Sequence, residues 1–328
     1  MSATEKAIVE VRDLSKVFED VRAVDGVDFV VYQGELFGFL GPNGAGKTTT
    51  INMLTGLARP THGAIKISGI DCSKNPKAAQ HLTGIVPDER NLYPELTGYE
   101  NLCFCAALYG MRKKERQQRA KELLDVFGLS EAANRKFGAY SKGMKRKLTI
   151  AAGIIHRPQI LFLDEPTTGI DVASARQIRR LISDLHNDGT SIFLTTHYIE
   201  EAERLCDRIA FIVQGKIVHV SKVEDLLQPI KDKHLMQFSF EGDERELSDQ
   251  LQQTFPEIAF QKSPGNVIRA ESDRRIAVGP LVRFFEEMGV EITEARRMRP
   301  SLEDVFVKIT GIEADLMKRE KERRNQKS

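Results

Sequence analysis

Glu35-Leu36-Phe37-Gly38-Phe39-Leu40-Gly41-Pro42-Asn43-Gly44-Ala45-Gly46-Lys47-Thr48-Thr49-Thr50-Ile51-Asn52-Met53-Leu54 decides the fold. An apolar strand runs into a glycine-rich loop, and the loop runs into a helix. Residues 41–48 fit G-x-x-x-x-G-K-[ST] in full. The chemistry explains each fixed position. Gly41, Gly44 and Gly46, with Pro42, Asn43 and Ala45 between them, let successive N–H groups approach phosphate oxygens that larger side chains would block. The following helix presents its positive end to the same anion. Lys47 supplies a mobile cation for the β- and γ-phosphates. Thr48 supplies a hydroxyl for Mg²⁺, which prefers oxygen ligands, and Thr49 lies next to it in the same cradle. Alone, the loop identifies a binder of nucleoside phosphates such as ATP and nothing narrower.

Outward from the loop, two more strand ends carry chemistry. Ile160–Glu165 is an apolar run closed by two adjacent carboxylates, which are costly to bury without a partner. Asp164 is expected to hold Mg²⁺, through water, and Glu165 to orient the attacking water. His197 closes the next apolar run, Ser191–Thr196, and is expected to donate a hydrogen bond to the γ-phosphate. Glu165, His197 and Lys47 are thus the candidate catalytic residues. Thr48, Asp164 and, on grounds given below, Asp88 are the candidate metal ligands.

The remaining pattern is α/β. Strands are expected from about Ile8 to Val31, a helical stretch from about Leu92 to Phe137, and a hairpin turning at Gln214-Gly215. In the helical stretch Ala120, Leu123, Leu124 and Phe127 fall on one face. The character changes near Gln228 to Lys233. Beyond it the order strand, helix, strand, strand, helix, strand predicts a small ferredoxin-like α+β domain. The expected organisation is a nucleotide-binding domain over 1–227, a ferredoxin-like domain over 234–311 and a charged tail over 312–328. The first domain is read as a P-loop NTPase core with a helical subdomain at about 92–140 and an antiparallel β subdomain.

Composition excludes several classes. The 328 residues carry a formal net charge of +1, which offers no electrostatic basis for binding nucleic acid. No run of 18 apolar residues predicts a membrane span, and the polar start lacks the apolar core of a secretory signal. The expected location is therefore cytoplasmic, with any membrane role exerted through a partner. Cys72, Cys103, Cys105 and Cys206 include no Cys-x-x-Cys and read as reduced, packed thiols.

Over roughly Ile8 to Val220 these residues resemble the ABC transporter ATPase family. Tyr140-Ser141-Lys142-Gly143-Met144 looks like the family's signature motif, usually LSGGQ. Thr168-Gly169-Ile170-Asp171 is similar to its D-loop. Phe18 sits where an aromatic residue stacks on adenine, and Pro87-Asp88-Glu89 occupies the loop that usually carries glutamine. Lys142 and Met144 depart from the signature, Asp88 from the loop amide, and Phe18 from the more usual tyrosine.

The resemblance implies that two nucleotide-binding domains close head to tail around two ATP molecules. Ser141 and Gly143 of one subunit then act on the γ-phosphate held by the other's P-loop, with Asp171 nearby. It implies a homodimer, or a pair with a related subunit, driving a separate membrane permease docked through the helical segment. Asp88 would ligate Mg²⁺ and have its charge balanced by it. The run Tyr140–Leu148, the acidic loop residue and the ending Pro300–Phe306 resemble the drug- and antibiotic-export branch, placing the subunit on the inner face of the membrane. An importer ATPase with a regulatory C-terminal domain and a non-transport ABC protein are the alternatives.

Overall fold

The computed structural model describes residues 6–88, 92–230, 232–242, 247–263, 265–298 and 301–312. The charged tail from 313, Glu89 and Pro300 lie outside the described residues. In chain order the first elements are β1 (Ala7–Phe18), β2 (Val21–Tyr32), β3 (Leu36–Leu40), α1 (Lys47–Leu54), β4 (His62–Ile67), β5 (Ile70–Asp71), α2 (Pro76–His81) and β6 (Thr83–Val86). Helices α3 (Gly98–Leu108), α4 (Lys113–Val126) and α5 (Lys142–Gly153) follow. Then come β7 (Ile160–Asp164), α6 (Val172–Asn187), β8 (Ser191–Thr196), α7 (Ile199–Leu205), β9 (Arg208–Val213) and β10 (Lys216–Lys222).

A six-stranded sheet in the order β10-β9-β3-β8-β7-β6 forms the core, and β2-β1-β4-β5 form an antiparallel sheet. Strand β3 pairs in parallel with β8 and β9, and β7 pairs in parallel with β8 and β6. Every residue of β3, β7 and β8 is buried. This explains why their sequences are almost wholly apolar, glycine or hydroxyl residues, as expected for strands covered on both faces, with Asp164 at the end of β7 the charged exception. Phe37, Phe193 and Phe162 lie in register across β3, β8 and β7. Phe29 of β2 packs on this row, with ring centroids 5.7 Å from Phe37 and 5.8 Å from Phe193. That aromatic contact joins the antiparallel sheet to the core sheet through burial of large apolar area.

The helical stretch forms as its periodicity predicts. Ala120, Leu123, Leu124 and Phe127 are all buried. Thr97 caps α3 in a reciprocal box with Glu100. Gln214 and Gly215 both adopt positive φ and join β9 to β10, as a tight hairpin turn demands.

The chain divides into two compact units, one of residues up to Val223 together with those from Phe306, the other Glu224–Val305. Helix α8 (Val223–Leu227) opens the second. It continues through β11 (His234–Glu241), α9 (Leu247–Thr254), β12 (Ala259–Ser263), β13 (Val267–Ser272), α10 (Val278–Glu287) and β14 (Glu291–Met298), and α11 (Leu302–Thr310) ends the described chain. Its strands are antiparallel in the order β12-β13-β11-β14. Met236, Phe238 and Phe240 alternate along β11 into a core with Leu251, Leu281 and Phe285. Among the described residues no helix is long and apolar enough to cross a membrane.

Candidate active site

Register alone assembles the site. Leu40 lies opposite Thr196, and Asp164 opposite Thr195. The residues that follow, Gly41, His197 and Glu165, therefore emerge side by side at the carboxyl edge of the parallel strands. That edge is where open α/β sheets bind ligands.

The loop 41–46 bends sharply into α1. Gly46 has φ +103°, and a Cβ there would press on the Ala23 carbonyl, so glycine is the residue that fits. Lys47 is buried, and its Nζ donates to the carbonyls of Gly41 at 2.9 Å and Pro42 at 3.0 Å. The same Nζ is 3.3 Å from Glu165 Oε1.

Glu165 gathers further partners on its other oxygen. Thr168 Oγ1 donates to Oε2 at 3.0 Å. His197 Nδ1 lies 3.1 Å from the same oxygen, at an angle short of a hydrogen bond, which leaves this buried nitrogen without one. Burial pushes the Glu165 carboxyl up, but His197, the Lys47 cation and Thr168 outweigh it and hold it at about 2. Glu165 is therefore an anion at every physiological pH. Its backbone has φ +45°, a strained region for a non-glycine residue and one that recurs at functional positions.

Asp164 is 2% exposed. Its carboxylate accepts from the Thr195 hydroxyl; burial pushes its pKa up, and the Thr195 and nearby Thr48 hydroxyls pull it down. Thr48 and Asp164 are thus brought together, as a shared ligand set requires. Thr49 is half-buried behind them in α1.

The signature residues sit at the start of α5. Ser141 caps the helix, accepting from Met144 N at 3.2 Å, and is exposed with Lys142. Gly143 is buried, and a Cβ there would collide with Ser174 of α6. Asp171 caps α6 through Ser174 N at 2.9 Å. Phe18 is 48% exposed, with the Lys16 ammonium 4.8 Å from its ring centroid.

Asp88 departs from expectation in its counter-charge. Arg146 of α5, which sequence reasoning missed, is 8% exposed. Its guanidinium donates to Pro87 O at 2.7 Å, to Asp88 O at 3.2 Å and to Asp88 Oδ1 at 3.3 Å, and reaches Glu165 O at 3.5 Å. An arginine thus balances the acid at 88, beside the catalytic strand end. The signal lay in the basic run Lys145-Arg146-Lys147, which reads as solvated until the fold turns its middle member inward. Arg146→Met is expected to remove this donor from the Pro87 and Asp88 carbonyls, costing about 1–3 kcal/mol. Chemical unfolding and steady-state hydrolysis of the variant check this: stability should fall, and turnover should fall more than ATP affinity.

A family model described as ABC transporter matches residues 24–168. The chain is 36% identical over 311 residues to the bacitracin transport ATP-binding protein of Bacillus licheniformis, spanning 93% of this chain and 97% of that one. It belongs to the ABC transporter ATP-binding family. It is also 39% identical over 235 residues to the linearmycin resistance ATP-binding protein of Bacillus subtilis, covering 72% and 76% of the two chains. Among solved structures, the ABC fold matches a dimeric post-hydrolysis state of an ATP-binding cassette bound to ADP and Pi. That match has a TM-score of 0.60 at 28% identity and covers 66% of this chain and 98% of that one. As an ABC ATPase, the chain binds nucleotide and hydrolyses ATP.

Proposed function

We propose that this ABC ATPase is the motor of an exporter of drug- or antibiotic-like compounds, working as a head-to-tail pair on the inner face of a membrane permease. The convergence of Lys47, Asp164, Glu165 and His197 on one sheet edge carries the catalytic part of the reading. The bacitracin and linearmycin relatives support the direction of transport over the importer and non-transport alternatives.

In this reading the backbone N–H groups of residues 43–48 and the Lys47 ammonium hold the β- and γ-phosphates, and the Phe18 ring stacks on adenine. Thr48 and Asp164 would hold Mg²⁺: their hydroxyl and carboxylate already adjoin, which fits a hard cation with oxygen ligands. The cation supplies neutralisation of charge on the phosphates. Asp88, whose Oδ1 is engaged by Arg146, could join this set through its other oxygen. Glu165, held as an anion, accepts a proton or hydrogen bond from the attacking water. His197 donates to the γ-phosphate and senses its presence.

Ser141, Gly143 and Asp171 serve the second copy. The start of α5 carries partial positive charge and meets the γ-phosphate on the partner's P-loop. Because that phosphate touches both surfaces, its loss removes the contact that favours closure. The helices over 92–137 dock the permease. Reconstitution with a candidate permease in lipid vesicles tests the whole reading. ATP should drive compound away from the ATPase face and permease should stimulate hydrolysis; movement toward that face, or failure to associate, refutes it.

A further inference from the structure

Glu201, in the first turn of α7, is 3% exposed and has no task in the chemistry above. Its Oε1 accepts from Thr167 Oγ1 at 2.8 Å. Burial pushes this carboxyl up, and the nearby Thr196 and Thr167 hydroxyls pull it down. Thr196 Oγ1 itself accepts from Tyr198 N at 3.0 Å. Oε2 of Glu201 is buried without a hydrogen bond. A buried carboxyl with an orphaned oxygen is costly, and such groups call for a reason.

The positions of its partners supply one. Thr167 immediately precedes Thr168, and Thr196 immediately precedes His197. Thr168 and His197 are the two residues that approach Glu165 Oε2, at 3.0 and 3.1 Å. The Glu201 carboxyl therefore ties the segment that leads to Thr168 to the start of α7, directly after the β8 end that carries His197, and both segments aim a side chain at one oxygen of the catalytic glutamate. The backbone adds a second tie, since Glu201 N donates to Tyr198 O at 3.1 Å.

We propose that Glu201 is a positioning residue: it locks the loop after β7 to the start of α7, directly after the end of β8, and so fixes the direction in which Glu165 presents its carboxylate to water. No Glu201 contact reaches the phosphate loop, so its loss is expected to fall on turnover more than on ATP affinity. The inference rests on the reading of Glu165 as the group that orients water.

The test uses the full chain carrying Glu201→Gln, Glu201→Ala, Thr168→Val, and the last two combined. Turnover is measured at saturating Mg-ATP, and ATP affinity with a fluorescent analogue. Misplacement of a reacting group by about 1 Å costs on the order of a hundredfold. Glu201→Ala should thus lose about 10–100-fold in kcat with a much smaller change in ATP affinity. Glu201→Gln, whose amide oxygen still accepts from Thr167, should recover most of that loss. The double variant should lose less than the product of the single losses, because both act through Glu165 Oε2. Affinity falling in step with rate, or losses that multiply in full, would overturn the proposal. If Glu201→Ala does not fold, Thr167→Val removes the 2.8 Å bond at constant shape and carries the same expectation. Wild-type turnover in Glu165→Gln would instead sink the reading beneath it. A slow Glu165→Gln beside a fully active Glu201→Ala sinks this inference alone.

Discussion

Glu165→Gln is expected to lower hydrolysis by about 10²–10⁴-fold, the range supplied by a positioned acid–base group, while ATP still binds. The amide keeps the size of the carboxylate and can still accept from Thr168. It cannot carry the negative charge that Lys47 and His197 hold in place from opposite sides. The charge also fixes the pH dependence. Because the folded carboxyl titrates at about 2, below its unfolded value of about 4.3, its stabilising contribution is complete above the unfolded value. It is lost as pH falls from there toward 2. An acid limb of activity between pH 5 and 7 therefore cannot come from Glu165. Turnover profiles of wild type and variant over that range should have the same shape at different height. A variant that hydrolyses at the wild-type rate would remove Glu165 from the chemistry.

Lys47→Ala is expected to fail earlier, at binding. The Nζ is the buried cation of the loop, held by two carbonyls and Glu165. Removing it takes a charge-assisted donor from the phosphates, about 1.5–3 kcal/mol, or roughly tenfold to a hundredfold in affinity. Turnover should fall further, by about 10²–10³-fold, because a charge aimed at the reacting phosphate is also lost. Titration with a fluorescent ATP analogue separates the two variants: Glu165→Gln binds and does not turn over, whereas Lys47→Ala binds weakly. Equal affinity in both would mean that Lys47 does not face the phosphates.

The parts of this site that were legible in sequence are those written locally. A glycine loop between a strand and a helix, carboxylates at the end of an apolar run, and a histidine at the end of the next are visible within ten residues. Parallel register then brings them together without further instruction. Arg146 and Glu201 were not legible, because their meaning lies in contacts with Asp88 and Thr167, distant in sequence. For the same reason the sequence points to a metal as the counter-charge of Asp88 and gives no sign of the arginine on α5 that also meets it. The signature was read for its chemistry, yet its glycine also has a packing cause. Gly143 lies where any side chain would strike Ser174, so α5 and α6 can approach. Asp171, too, has a local job as the cap of α6, beside any role across an interface.

A shared site makes a demand that no single chain can meet, and sedimentation velocity of Glu165→Gln with Mg-ATP measures it. ATP should convert the chain to a species of twice its mass, ADP should not, and a further change at the exposed Ser141, Ser141→Arg, should abolish the conversion while ATP still binds. A species that stays at the mass of one chain with its nucleotide site saturated would contradict the composite site.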